Sequence, residues 1–214
     1  MKGRIFLISI VLFVHACVFG DEEGYYTDSF GVVKLFDNNM PYIESDEGEV
    51  LIPTQSISSF VRTGDRVWIS YTVENENTKH DTLTVLPYRI TSIMPLTLQS
   101  ESRLNNDGID LWTVWIAQGF LTFDFRIRAN DPDKIKEHEY AMVASRQKET
   151  GDTLFIDFRH DAKGDNYGVL CRTAVAIKLS ELKIANDYAV IAIDYNNLDG
   201  VKQTEYRTYR KGQN

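Results

Sequence analysis

Long apolar runs are what this 214-residue chain has least of. The longest, Ile5–Val14, is ten residues with Ser9 inside it. As a helix it would span about 15 Å, half of a bilayer core, which excludes an ordinary membrane-spanning anchor. Basic residues are outnumbered, 23 against 31 acidic. The net charge of −8 argues against a nucleic-acid partner, whose phosphates such a surface would repel. Cysteine occurs only at positions 17 and 171. Catalytic signatures are lacking too: there is no G-x-S-x-G elbow, no phosphate-cradling glycine loop and no dinucleotide fingerprint. No internal repeat or low-complexity segment stands out. Helix signals are confined to two short stretches, Asp131-Pro132 through Ile135 and Ser180 through Ile184.

What is present is an ordinary globular composition, 43% hydrophobic and 25% charged, in which eleven Tyr, eleven Phe and three Trp favour strands. The first residues carry an address. Lys2 and Arg4 precede the short apolar run, the layout of a secretory signal. Val14-His15-Ala16-Cys17 then resembles a lipobox, with a small residue before the cysteine and His15 as a departure from the usual pattern. In that chemistry a diacylglyceryl group is placed on the cysteine sulfur and the chain is cut just before it. Residues 1–16 are therefore read as a lipoprotein signal peptide, Cys17 as the lipid attachment site and 17–28 as an acidic tether. The alternative is an ordinary signal cut near Gly20. A lipidated Cys17 leaves Cys171 without a disulfide partner. Cys171 alternates with Val169, Thr173, Val175, Ile177 and Leu179, and reads as a small core residue.

Two β-rich blocks follow. Residues 29–98 hold five strand candidates: Gly31–Phe36, Tyr42–Ser45, Glu49–Thr54, Arg66–Glu74 and Leu83–Met94. The clearest alternation sets Val67, Ile69, Tyr71 and Val73 against Arg66, Trp68, Ser70, Thr72 and Glu74. Asp46-Glu47-Gly48 reads as a hairpin turn, and Pro87 as the mark of an edge or bulge. Five strands in so short a block suggest a small OB-like barrel. The polar, turn-rich segment 99–108 reads as a linker and hinge. Residues 109–214 hold seven candidates, Asp110–Ala117, Phe120–Arg128, Glu139–Arg146, Thr153–Arg159, Val169–Leu179, Tyr188–Tyr195 and Gln203–Tyr209, enough for an antiparallel β-sandwich. The expected fold class is all-β.

Candidate chemistry is thin. His138-Glu139 opens like a zinc-protease motif, but Met142 stands where the second histidine belongs, and the setting is a strand. His160-Asp161 could join His138 at a metal, although histidines at strand ends are usually solvent-facing or hydrogen-bonded. Asp194, Asn196, Asp199-Gly200 and Glu205 have a calcium-loop flavour, yet Leu198 occupies a ligand position and a hairpin turn accounts for the stretch. The abundance of acids makes any carboxylate pair uninformative about glycoside hydrolysis. No catalytic residue, cofactor or metal ligand is assigned. The better lead is aromatic. Trp68 lies on the polar face of its strand, and Trp112, Trp115 and Phe120 cluster at the start of the second block. Exposed, such rings stack on sugars or grip peptides; buried, they cover a domain junction.

The resemblance is carried by Gly64-Asp65-Arg66-Val67-Trp68-Ile69-Ser70-Tyr71, Phe120-Leu121-Thr122-Phe123, Phe155-Ile156-Asp157-Phe158-Arg159-His160-Asp161 and Ile177-Lys178-Leu179-Ser180-Glu181-Leu182. With the lipobox and the two-block layout, these stretches resemble the NigD-like lipoproteins of Bacteroidetes. The resemblance implies an OB-type first domain, a sandwich second domain and an outer-membrane lipid anchor, with no established activity. Asp21-Glu22-Glu23, just after the cysteine, resembles the surface-export signal of such lipoproteins. The expectation is a non-catalytic binding or assembly module, lipid-anchored at the outer membrane, whose ligand is a glycan or a protein and not a nucleic acid. The alternative is a carbohydrate-active enzyme or its accessory binding protein.

Overall fold

The computed structural model describes residues 26–57, 61–77, 81–145 and 152–212. The expected signal peptide, Cys17, Asp21-Glu22-Glu23 and most of the tether lie outside the described residues. Among the described residues the fold is all-β, with two short 3-10 turns, Pro132–Glu137 and Leu179–Leu182, where the helix signals fall.

Strands β1 (Thr27–Leu35), β2 (Pro41–Ser45), β3 (Val50–Pro53), β4 (Arg66–Asn77) and β5 (Thr82–Ser92) close into a barrel in the order β1-β2-β3-β5-β4. Alternation sets the inside. Val67, Ile69 and Tyr71 of β4 meet Val33, Ile43, Leu51, Leu83 and Val85 in one buried cluster. Val73 departs from the expected pattern: it is exposed, beside a shift in the β4–β5 register. Closure leaves no free sheet edge, and it draws β1 tightly against β2. A Cβ on Gly31 would stand 2.5 Å from the Glu44 carbonyl oxygen and 2.6 Å from Ile43 Cγ2, so the approach requires glycine. Pro87 lies where the β4–β5 register shifts by one residue, the bulge that its missing N–H suggests.

The second unit adds β6 (Met94–Leu96), β7 (Leu98–Gln99), β8 (Asp110–Ala117), β9 (Phe120–Ala129), β10 (Glu139–Ala144), β11 (Thr153–Asp161), β12 (Val169–Lys178), β13 (Tyr188–Asn196) and β14 (Lys202–Arg210). They form a five-stranded sheet, β14-β13-β11-β10-β7, and a four-stranded one, β6-β12-β9-β8. All seven strands read from the sequence are present. β6 and β7 join them as two short strands, too brief to show a period, each docked in parallel on β12 or β10. β11 and β13 also pair in parallel, because β12 between them belongs to the other sheet. The two sheets share a core in which Phe123 and Phe158 stack at 5.1 Å among Leu121, Phe125, Ile127 and Ile193.

Strand β9 is buried on both faces along most of its length. Leu121, Phe123, Phe125 and Ile127 point into the sandwich, while Phe120, Thr122 and Asp124 lie on the outer face, where the barrel covers it. The segment 99–108, read as a hinge, is tied to the sandwich instead. The Arg159 guanidinium donates to the Ser102 carbonyl (2.8 Å), Asp107 N–H to the His160 carbonyl (2.8 Å) and Ile109 N–H to the Asn196 carbonyl (2.9 Å). Its polar residues serve as hydrogen-bonding partners along a packed surface.

Candidate functional site

Two units meet at a buried polar contact. Arg66, only 3% exposed, stands at the start of β4 and directs both terminal nitrogens at the Asp46 carboxylate. Its Nε donates to Thr122 Oγ1 of β9 (3.1 Å), and Trp115 Nε1 of β8 donates to Asp46 Oδ2 (2.6 Å). Gln118 Nε2 donates to the Ser45 carbonyl (3.2 Å). The guanidinium sits within about 6 Å of the Phe30, Trp115 and Phe120 rings. Val32, Ile93, Phe120 and Ala176 form the apolar part of the junction, with Phe30, Trp68 and Ala174 packed on it. Paired, hydrogen-bonded and ringed by aromatics, this charge is stably buried.

Beside the junction the outer face of the four-stranded sheet emerges from under the barrel, and four side chains form a continuous strip across the boundary. Arg172 of β12 lies opposite Arg126 of β9. Its guanidinium carbon is 4.4 Å from the Trp68 ring centroid on the barrel and 5.0 Å from that of Trp112 on the sandwich. Arg126 approaches Trp112 at 4.8 Å, and Arg89 extends the strip over the barrel at 5.3 Å from Trp68. Trp112 is 50% exposed, at the register shift in the β8–β9 pairing that frees its backbone from the ladder.

Carboxylates fix the two central arginines. Asp124, buried, accepts from Arg172 Nε (2.9 Å) and Nη2 (2.7 Å), and this bonding raises the arginine pKa. Asp110 accepts from Arg126 Nε (2.8 Å), and Asp28 lies 3.9 Å from Arg172 Nη1. The strip is thus a rigid surface of indole rings and oriented guanidiniums.

Of the aromatics read as a lead, Trp115 and Phe120 serve the junction, whereas Trp112 and part of Trp68 face the strip. Sequence reasoning missed the arginines. Arg126 and Arg172 each show as polar positions in an alternating strand, but only the β9–β12 register places one opposite the other. Asp46 reads as a turn residue and nothing more.

Elsewhere the expected chemistry resolves into structure. His138 and His160 are both buried, with His138 Nδ1 and His160 Nε2 2.9 Å apart. Of the two usual fates of strand-end histidines they take the hydrogen-bonded one and not the solvent-facing one, because β10 and β11 pair through Tyr140 and His160 and bring the rings together. His138 Nε2 lies 3.6 Å from Asp165 Oδ2. Burial, then the neighbouring His138, push the His160 pKa down to about 4. Among the described residues no three His, Cys, Asp or Glu side chains are placed to hold a metal. Met142 is part of the core, which removes the zinc-protease reading. Asp194 Oδ1 accepts from Thr204 (2.7 Å), and Asn197 Oδ1 accepts from the Asp199 and Val201 N–H groups, so the calcium-like stretch is a β13–β14 hairpin. Cys171 is half-buried and not a core residue, since it stands near the exposed start of β12, one alternation after the half-exposed Val169; burial still raises its thiol pKa.

Fold and junction define a two-unit all-β protein in which an OB-like barrel rides on the outer face of a sandwich. The chain belongs to the family of the NigD-like C-terminal beta sandwich domain, whose family model matches residues 92–209. Solved structures share the two-unit fold. A NigD-like immunity protein from Bacteroides caccae is 22% identical, with 86% of this chain and 96% of that one covered and a TM-score of 0.67. A candidate toxin-related protein from Parabacteroides distasonis is 18% identical, covering 87% and 94%, with a TM-score of 0.67. A candidate lipoprotein from Bacteroides fragilis is 12% identical, covering 88% and 100%, with a TM-score of 0.62. No curated protein sequence matches the chain.

Proposed function

We propose that the chain is a non-catalytic binding module of the cell envelope, lipid-anchored through Cys17 at the outer membrane, exposed at the cell surface and engaging its ligand on the Trp68–Arg172–Trp112 strip. The observation that carries the binding role is the half-buried guanidinium of Arg172 placed between an indole of each unit, beside the apolar junction and the exposed Trp112. Tryptophan and arginine are the residue types that dominate binding energy at recognition surfaces. Anchoring is supported by the lipobox and by the likeness to a candidate lipoprotein. An enzymatic role in carbohydrate turnover finds less support: Asp110 and Asp124, the acids central to the strip, are held by arginines and so are poorly placed as general acid and base. Photo-cross-linking on intact cells tests the reading. A cross-linker at the exposed Thr113, which pairs with Asp124 and leaves Trp112 intact, should capture a saturable ligand, and one at Met40, in the β1–β2 turn at the other end of β1 from Asp28, should not. Equal capture from both positions, or none from 113, defeats it.

A further inference from the structure

The strip contains two kinds of arginine. Arg172 and Arg126 are each held by a carboxylate. Arg128, next along the same face of β9 and opposite the exposed Leu170, has no ion pair with any described residue, and neither has Arg89 at the barrel end. Two exposed guanidiniums, one over Trp68 and the other two residues past Arg126 on β9, therefore have their donors unspent, on a chain whose net charge is −8.

We propose that this strip binds an acidic polysaccharide, whose anionic groups pair with Arg89 and Arg128 and whose pyranose rings lie against Trp112. The proposal rests on the preceding reading that the strip is the ligand surface, and it names the ligand's chemistry. Three features select it. Indole faces suit the C–H face of a sugar ring, and a half-exposed Trp112 offers such a surface. Guanidinium forks match carboxylate or sulfate oxygens bidentately, a use that a neutral glycan would leave empty. Asp28, Asp110 and Asp124 lie between the arginines, whereas the centre of a protein–protein interface is depleted of such charges. The same aspartates, with the acidic body around them, disfavour the dense charge of a nucleic acid, one per ~1.7 Å of duplex. A sugar acid carries at most a few charges per ring, and its rings supply the stacking.

The full chain reports on this directly, because of its three tryptophans Trp112 is exposed on the strip, while Trp115 is bonded into the junction and Trp68 packs against it. Polygalacturonate and chondroitin sulfate serve as the carboxylate and sulfate probes, and dextran as the neutral control. Tryptophan emission and calorimetry should show saturable binding of at least one acidic polymer, weakening as salt is raised from 50 to 300 mM. Dextran should be inert. The double variant Arg89→Gln/Arg128→Gln, altered only at exposed, unpaired side chains, should bind at least tenfold more weakly with unchanged circular dichroism. Trp112→Ala should lose most of the heat. Acidic polymers that fail to bind, or bind the double variant as well as the parent, overturn the proposal. Dextran binding that depends on Trp112, or a protein captured from position 113 with no sugar bound, overturns the acidic-saccharide assignment while leaving the strip as the ligand surface. Loss of position-113 capture altogether is the separate failure of the binding reading.

Discussion

Trp115 of the sandwich donates its indole N–H to Asp46 of the barrel, the same carboxylate that receives the Arg66 guanidinium. One turn residue thereby serves two domains. Removing it leaves Arg66, 3% exposed, as an unpaired buried cation. Asp46→Ala should cost roughly 3–5 kcal/mol in urea unfolding, the range for breaking a buried pair from one side. Asp46→Leu/Arg66→Met, which removes both charges, should cost less than either single change. A double variant as damaged as the sum of its parts would show that the pair contributes nothing as a pair.

His160 sets a pH window for stability. Its pKa falls from 6.5 to about 4 on folding, so the unfolded chain binds the extra proton first. The contribution is fully present above pH 6.5 and is lost as pH falls through the window towards 4. Up to ~3 kcal/mol is at stake for such a shift. His160→Gln should lower stability at neutral pH and flatten its dependence between pH 6.5 and 4. An unchanged slope in denaturant titrations across that range would assign the acid sensitivity to other groups.

The strands were legible because their alternation is strong, and five of them in so short a block were enough to suggest a small barrel. The pairing across the sheets was not. Nothing local tells Arg172 that Arg126 will be its neighbour, or tells Thr122 and Asp124, polar residues on an alternating strand, that a barrel will cover them. The polar composition of 99–108 was visible, but a loop that is free and one that supplies hydrogen bonds to a sheet share that composition. The two histidines, 22 residues apart, met only through the β10–β11 register. The lipid anchor proposed at Cys17 is the opposite case: its support lies in the lipobox within the first 17 residues and not in the fold.

Gly108 is where the segment after the barrel touches the β13–β14 hairpin. A Cβ there would stand 2.1 Å from the Asn197 carbonyl oxygen. That oxygen belongs to backbone inside a tight turn, closed by Asn197 N–H to the Val201 carbonyl, and has little freedom to retreat. Gly108→Ala should therefore destabilise by roughly 1–3 kcal/mol, the usual cost of overpacking. It should also hasten proteolysis within 99–108 by loosening the segment from the sheet. A thermal midpoint within a degree of the parent would mean that the hairpin yields.

Attachment of lipid at Cys17 and the acidic triplet behind it make one prediction about place. Mass spectrometry of the mature amino terminus should find acyl groups on Cys17, and Cys17→Ala should move the protein from the membrane to the soluble fraction. An unmodified chain beginning near Gly20 would refute this. Several acyl chains hold a protein firmly where one does so marginally, so the anchored form should resist salt washing. From a lipidated Cys17 to Tyr26 the chain would reach at most a few tens of ångströms at ~3.5 Å per residue, which would hold the barrel near the membrane. The acidic body, repelled by anionic head groups, should stand off that surface and leave the strip open to ligand. If Asp21-Glu22-Glu23 directs export, protease added to intact cells should degrade the parent and spare the variant with all three residues changed to Ala. Equal protection of both forms would put the protein on the periplasmic leaflet, where a ligand outside the cell could not reach Trp112.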